Sequence, residues 1–299
     1  PFIPQLQRTF VKSLSDPSNE LLRSRAARAL GTLIEYQPRV DPLVMELLGG
    51  AKATTDIGVK TAMLKALLEV VDKAGTKMNE SSKNGVMELI EKEMFSGEVG
   101  VDTAVAYARL IGALSKILSD DEAIKMLKLK VFDIDLQDSN SSRFAILTLN
   151  AFLKDSPEHI FKTGLFSETT SFLVRSSEAL TPYVSDYSTI AIGKLLLNLG
   201  KYDLSDDMEP SLKELIGQLC KLTGKPVSNS LDTRRLSLVV IRTICRFEFE
   251  KCVSNYLDLL VPSVFQCVRD PIIPIKLAAE KCFLAIFDLV TDEQATVYN

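Results

Sequence analysis

Tryptophan is absent from the 299 residues, and histidine occurs once, at His159. A lone histidine leaves little room for a Ser-His-Asp or Cys-His site, and no GxSxG stretch supplies a nucleophile for one. Zinc also lacks a ligand set. The five cysteines (Cys220, Cys245, Cys252, Cys267 and Cys282) are scattered over the last third, and no two are spaced as CxxC. An odd number of widely spaced cysteines excludes a disulfide framework and reads as reduced, core-packed thiols of an intracellular protein. Glycine and proline, at 14 and 12, are too few for a low-complexity or collagen-like chain. No apolar run reaches the ~18 residues of a membrane span, and no basic-then-apolar leader opens the chain. There is no basic excess: 35 Lys and Arg against 39 Asp and Glu leave a net charge of −4, which argues against a large nucleic-acid footprint. The chain opens on Pro1 and is expected to be a piece of something longer.

What is present is helix material. Apolar residues make up 46% of the chain, and they recur at helical spacing between short polar breaks such as SDPSN (15–19), YQPRVDP (36–42), ATTDIG (53–58), FSGEVG (95–100), LSDDMEP (204–210), TGKPVSNSLD (223–232) and RDPIIP (269–274). The breaks carry the Ser, Thr and Asp that cap helices, the Pro that opens them and the Gly that ends them. Sustained period-two alternation and Asn-Gly or Asp-Gly hairpin turns are missing, so strands are not expected. The helices pair, and the second members share an apolar ridge at Leu30, Leu67, Ile111, Leu149, Ile192, Ile241 and Phe283, in steps of 37 to 49 residues. A period of about 40 built from two helices is the mark of a HEAT or armadillo solenoid. The expectation is an all-α, right-handed α-solenoid (an ARM-type superhelix) of about seven HEAT-like helix pairs. It would fill 1–299 as one array, with approximate repeats 1–37, 38–76, 77–118, 119–155, 156–202, 203–251 and 252–299.

The stretch LLRSRAARALGTLIEYQ (21–37) shows the pattern and poses the functional question. Leu22, Ala26, Ala29, Leu30 and Leu33 form one apolar stripe, with Arg25, Arg28 and Thr32 on the other side. Arg23, Arg25 and Arg28, together with Arg8 and Lys12, give the first repeat a positive bias. Arg234, Arg235, Arg242 and Arg246 do so in the sixth. A solvated face or an intramolecular ladder is the default reading. Docking of an acidic protein surface on Arg23, Arg25 and Arg28 is the functional one. The last repeat is similar to the HEAT pattern: Pro262 in the first helix, Asp270 in the turn, then Lys276 followed by Leu277, Ala278 and Ala279. That resemblance implies a structural ladder through Asp270 and Lys276. In the first repeat the corresponding pair, Asp16 and Arg23, is spaced one residue wider.

Other constellations read as structure. DIDLQDSNSSRF (133–144) lacks the Gly and the closing Glu of a calcium loop, and is read as a capped turn. GGAKATT (49–55) lacks phosphate-loop spacing and is read as a helix end. Asp120-Asp121-Glu122 and Asp206-Asp207-Glu209 fall where helices begin and offset the helix dipole. His159 is expected at the surface or as a cap. No catalytic, cofactor or metal residues are assigned, and an enzyme is not expected.

A more specific likeness lies in PFIPQLQRTFVKSLSDPS, RAARALGTLIEYQPRVDPLVMELLGGAK and GVKTAMLKALLEVVDKAGTKM. These stretches resemble the C-terminal part of the large HEAT-repeat general-control translational activators, ribosome-associated proteins that activate the amino-acid-starvation kinase. The resemblance implies a cytoplasmic, non-enzymatic scaffold that recruits RWD-domain proteins, the starvation kinase among them, and reaches the ribosome through the full-length protein. It implies neither a small-molecule substrate nor a membrane partner. The family's kinase-contacting arginine matches no motif here and is expected upstream of Pro1. The alternatives are a segment that itself contacts ribosome or RNA, and an unrelated HEAT scaffold of the transport-receptor or phosphatase type.

Overall fold

A computed structural model describes residues 2–95, 99–202, 205–224, 230–247 and 253–289, and among them there is no strand. Cys252 and parts of the breaks at 95–100, 204–210 and 223–232 lie outside the described residues. The chain divides into two compact units, Pro1–Ala123 and Ile124–Asn299.

The first unit contains α1 (Ile3–Leu14), α2 (Glu20–Ile34), α3 (Asp41–Ala53), α4 (Ile57–Ala74), α5 (Glu80–Met94) and α6 (Val101–Ser115). The helices pack as consecutive pairs, α1 with α2, α3 with α4 and α5 with α6, and the second members lie side by side with α4 between α2 and α6. Their starts are chemically specified. The side-chain oxygens of Asn19, Asp56 and Asn79 accept the N–H groups of Leu22, Val59 and Ser82 at 2.9, 2.8 and 2.8 Å, satisfying donors that the first turn leaves unpaired. Proline opens α1 and α3, where its missing N–H costs nothing.

The buried stripe of α2 is Arg23, Ala26, Ala27, Leu30, Gly31 and Ile34. It is rotated by about one position from the stripe expected: Leu22 is 38% exposed, and Arg23 begins the inner face. Gly31 sets how closely α4 approaches, because a Cβ there would sit 2.7 Å from the Cβ of Glu69.

The second unit repeats the scheme. Helix α7 (Asp120–Leu127) starts in the first unit and continues as a wide π-type turn, Lys128–Phe132, that packs on α8 (Ser139–Asp155). A short α9 (Glu158–Phe161) follows, then α10 (Phe166–Ser177) with α11 (Pro182–Leu199) and α12 (Glu209–Thr223) with α13 (Leu231–Arg246). The last two, α14 (Leu257–Val268) and α15 (Ile273–Phe287), also pair. Here α11 sits between α8 and α13, and α13 between α11 and α15. Gly164, between α9 and α10, takes φ 75°, a left-handed value that a side chain would disfavour.

The aligned ridge falls on the eleventh residue of α2, α4, α6, α8, α11, α13 and α15 in turn. Leu30, Leu67, Ile111, Leu149, Ile192 and Ile241 are all fully buried. Phe283 is the exception: it is half-buried, with its ring 6.0 Å from that of Phe265, while Ala279, Cys282 and Ile286 take the inner face of α15.

Candidate functional site

Charged and polar groups recur at a second register of the same helices, less regular than the ridge. The fourth residues of the seven second helices are Arg23, Lys60, Ala104, Ser142, Ser185, Arg234 and Lys276. Of the charged members, Arg234 is the most buried. Its Nη2 donates to Oδ2 of Asp270 at 2.6 Å, with the two side chains 6% and 2% exposed. Its Nε donates to the carbonyl of Thr223 at 3.0 Å. The other carboxylate oxygen, Oδ1 of Asp270, accepts the N–H of Ile272 at 2.9 Å, fixing the turn into α15.

Of the two residues expected in a ladder along the stack, Asp270 meets Arg234 of the preceding pair and Lys276 stands outside the rung. Lys276 points to solvent and lies 4.0 Å from Glu280 of its own helix. The rung joins consecutive pairs, so the base for Asp270 comes from α13 and not from α15.

In the first pair, Arg23 occupies the place of Arg234. Its Nη1 donates to the carbonyls of Asp16 and Pro17 at 2.7 and 2.9 Å, and a Cβ on Gly58 would lie 2.7 Å from its Nη2. Arg23 was a candidate partner contact with Arg25 and Arg28, set against a solvated face or an intramolecular ladder. It is instead 7% exposed and holds the α1–α2 turn, while Arg25 and Arg28 are exposed. In the second pair, Lys60 reaches Glu93 at 2.8 Å.

Between α8 and α11, where serines occupy the fourth position, amides take over. Asn150 Nδ2 donates to the carbonyls of Ile146 and Tyr187, and Lys194 Nζ donates to Asn150 Oδ1 at 2.8 Å. Asn198 Nδ2 donates to the carbonyl of Leu153 at 2.8 Å. Burial pushes the Lys194 ammonium below the usual lysine range.

A charge pair also links α5 to the start of α7. Lys83 Nζ lies 2.8 Å from Oε2 of Glu122, which also accepts the N–H and hydroxyl of Ser119 at 2.8 Å. Ser119 and Glu122 form a capping box, since the Ser119 hydroxyl accepts the N–H of Glu122 in return. The Lys83 hydrogen bond, helped by Ser119, holds the Glu122 carboxyl down at about 2. A carboxylate depressed in the folded state stabilises at neutral pH and loses that contribution as pH falls through the folded value. Glu122→Gln is expected to cost about 1 kcal/mol or less at pH 7, because the carboxylate is more than a third exposed and solvent screens the pair. The substitution should also flatten the loss of stability between pH 4.5 and about 2. Thermal melts at pH 7 and 3 check this: the gap between the two proteins should shrink at the lower pH.

The remaining constellations resolve as structure. Asp138 caps α8, accepting the N–H groups of Asn140 and Ser141 at 3.3 and 3.2 Å. Gly49, Gly50 and Lys52 form the last turn of α3, and Lys52 pairs with Glu88. Asp120, Asp121 and Glu122 open α7, and Asp206 and Asp207 lie in the turn that leads into α12. His159, expected at the surface or as a cap, is buried, and its ring meets Phe152 edge-on at 6.2 Å. Cys245, Cys267 and Cys282 are buried and Cys220 is half-buried. Burial raises the thiol of Cys245 to about 12 and those of Cys220 and Cys282 above their ordinary range, which suits packing and not nucleophilic attack. Among the described residues no group of three or more His, Cys, Asp or Glu could hold a metal ion, and no helix is long and apolar enough to cross a membrane.

One cavity in the first unit, of about 540 Å³, lies across α2, α4 and α6, with Arg23, Thr61, Lys65, Asp102, Val105 and Arg109 in its wall. Lys65 and Arg109 were not singled out in the sequence. The signal that marks them is their common register in successive helices.

Residues 41–298 match the family model described as "Stalled ribosome sensor GCN1-like, HEAT repeats". The whole chain is 56% identical to the eIF-2-alpha kinase activator GCN1 of Saccharomyces cerevisiae, of which it spans 12%. It is 30% identical over 97% of its length to Protein ILITYHIA of Arabidopsis thaliana, spanning 10% of that protein. A crystal structure of a Kap121p mutant matches 99% of this chain and 31% of its own with a TM-score of 0.69 at 12% identity, a likeness of fold alone. The stacked helix pairs and these sequence matches agree, and the chain belongs to the GCN1-like family of HEAT-repeat proteins.

Proposed function

We propose that the chain is a non-enzymatic scaffold segment of the translational stress response. In this reading its helix pairs form one array that presents a surface to RWD-domain proteins, the starvation kinase among them. The full-length protein of which it forms part holds them beside the ribosome, in the cytoplasm. The supporting observation is the 56% identity, over the whole chain, to a yeast protein named as an activator of the eIF-2-alpha kinase. Co-localisation suffices as a mechanism: tethering a kinase beside its activating signal raises the effective concentration without chemistry by the scaffold.

The exposed arginines Arg25 and Arg28 are the partner contacts this reading favours on α2. Arg23 is left out of the test, because its guanidinium holds a turn and its loss would disturb the fold. Arg25→Glu with Arg28→Glu is expected to weaken capture of the kinase's RWD domain about tenfold while the circular dichroism melt is unchanged, since reversed charges turn attraction into repulsion. Equal capture by variant and parent would remove α2 from the interface. Absence of capture by the parent would reject this segment as the RWD platform.

A further inference from the structure

The ninth residues of α2, α4 and α6 are Arg28, Lys65 and Arg109. Contacts two turns further on establish that the three helices run in register. Counting from the same starts, the sixteenth residues are Glu35, Asp72 and Lys116. Lys116 reaches Asp72 at 2.7 Å, and Lys73, beside Asp72, lies 3.5 Å from Glu35. Seven residues make nearly two helical turns, so the ninth and sixteenth positions share a face. At the sixteenth level acids and bases meet and neutralise one another. At the ninth level all three residues are basic, and none of them has a side-chain hydrogen bond or ion pair among the described residues. Long helical side chains lean toward the N-terminus, which brings Lys65 and Arg109 over the cavity they line with Thr61 and Asp102. The second unit does not repeat this row: its ninth residues are Leu147, Ile190, Val239 and Lys281.

We propose that the row Arg28–Lys65–Arg109 binds an acidic segment of a partner protein, held extended across the three helices with a carboxylate at every third residue. Packed helices stand about 8–10 Å apart, and this spacing sets that of the three cations. A polyproline-type segment advances about 3.1 Å per residue with three residues per turn, so side chains on one face recur every ~9.3 Å. A β-strand repeats a face every ~6.7 Å and falls out of step by the third helix. Glu20 and Asp102, also in the cavity wall, suit the backbone N–H groups of such a segment. The wall has no aromatic side chain for bases to stack on, which disfavours a nucleic-acid strand. The row shares Arg28 with the RWD reading but does not rest on it, since it can bind an acidic segment of any partner.

The test is fluorescence anisotropy with a labelled (Glu-Pro-Pro)₄ peptide. The comparisons are a peptide of the same composition with its glutamates grouped at one end and a single-stranded uridine oligonucleotide. The expected result is saturable, salt-sensitive binding of the spaced peptide, about tenfold or more weaker for the grouped peptide and for Arg28→Gln with Lys65→Gln and Arg109→Gln. Lys92→Gln, at an exposed position of α5 off the row, should bind as the parent does. If the triple variant fails its circular dichroism control, Arg109→Gln alone, at an exposed position, should still weaken binding measurably. No binding of the spaced peptide at millimolar concentration, equal binding by the row variants, or tighter binding of either the grouped peptide or the oligonucleotide would overturn the proposal.

Discussion

Asp270→Ala is expected to destabilise the second unit by about 3–5 kcal/mol, the usual cost of leaving half of a buried ion pair without its partner. The carboxylate has two tasks. Oδ2 receives Arg234 from the preceding pair, and Oδ1 holds the N–H that starts the turn into α15. Alanine removes both and leaves a guanidinium, almost wholly shielded from water, with only the Thr223 carbonyl to satisfy it. Asp270→Asn keeps the shape and part of the hydrogen bonding, so it should cost less.

The apolar pair Arg234→Met with Asp270→Leu should recover part of the loss, because the desolvation cost of two charges disappears with them. Recovery should stop short of the parent, since the pair also satisfies the Thr223 carbonyl and the Ile272 N–H. Lys276→Ala, at the position expected to form the rung, should stay within about 0.5 kcal/mol of the parent, as exposed substitutions do. Urea unfolding of the four variants checks the whole set. A cost below 1 kcal/mol for Asp270→Ala, or a larger one for Lys276→Ala, would mean that the rung does not hold α13 to α15.

Asp270 and Lys276 also show what a sequence can and cannot disclose in a stack of this kind. Apolar periodicity is local: each second helix carries its own ridge, and a residue such as Leu67 or Leu149 announces its burial from its apolar neighbours i−4 and i+4. That is why the ridge was legible across the chain, down to the same position in each helix. Phe283 departs because α15 buries the side of Cys282 and Ala279.

Ion pairing is not local. Arg234 and Asp270 are 36 residues apart, and only the stacking of one pair on the next brings them together. A motif read within one repeat names an acid and a base but not which neighbour each one meets. Arg23 misled for a related reason. Arginine is commonly placed in solvent, but its long stem can lie along a helix while its head satisfies turn carbonyls. The assigned stripe began at Leu22 and left Arg23 off it. His159 was hidden in the same way, in a four-residue helix too short to show a period. The row Arg28–Lys65–Arg109 sits at an intermediate depth. Its members are visible in the sequence, but only a common register of three helices shows that they form a line.

The other large effect is expected in the middle of the first unit. Leu67 is fully buried in α4, which packs on α3 and lies between α2 and α6. Leu67→Ala should cost about 2–5 kcal/mol, combining lost apolar burial with a cavity that the surrounding helices fill only in part. The same substitution at Leu30 removes an equivalent side chain from α2, which packs chiefly on α1 and α4. In a stack whose stability is a sum of neighbour interfaces, the two should differ less in the helix they alter than in how far the damage spreads. Loosening α4 weakens interfaces on both of its sides, whereas loosening α2 weakens the one it shares with α4. Amide hydrogen exchange after Leu67→Ala should therefore show lost protection in α2 and α6 as well as in α4, and after Leu30→Ala lost protection in α2 and α4 with α6 retained. If both variants open the whole unit to the same degree, the first three pairs unfold as one cooperative block. The neighbour-by-neighbour account of what holds them together would then be wrong.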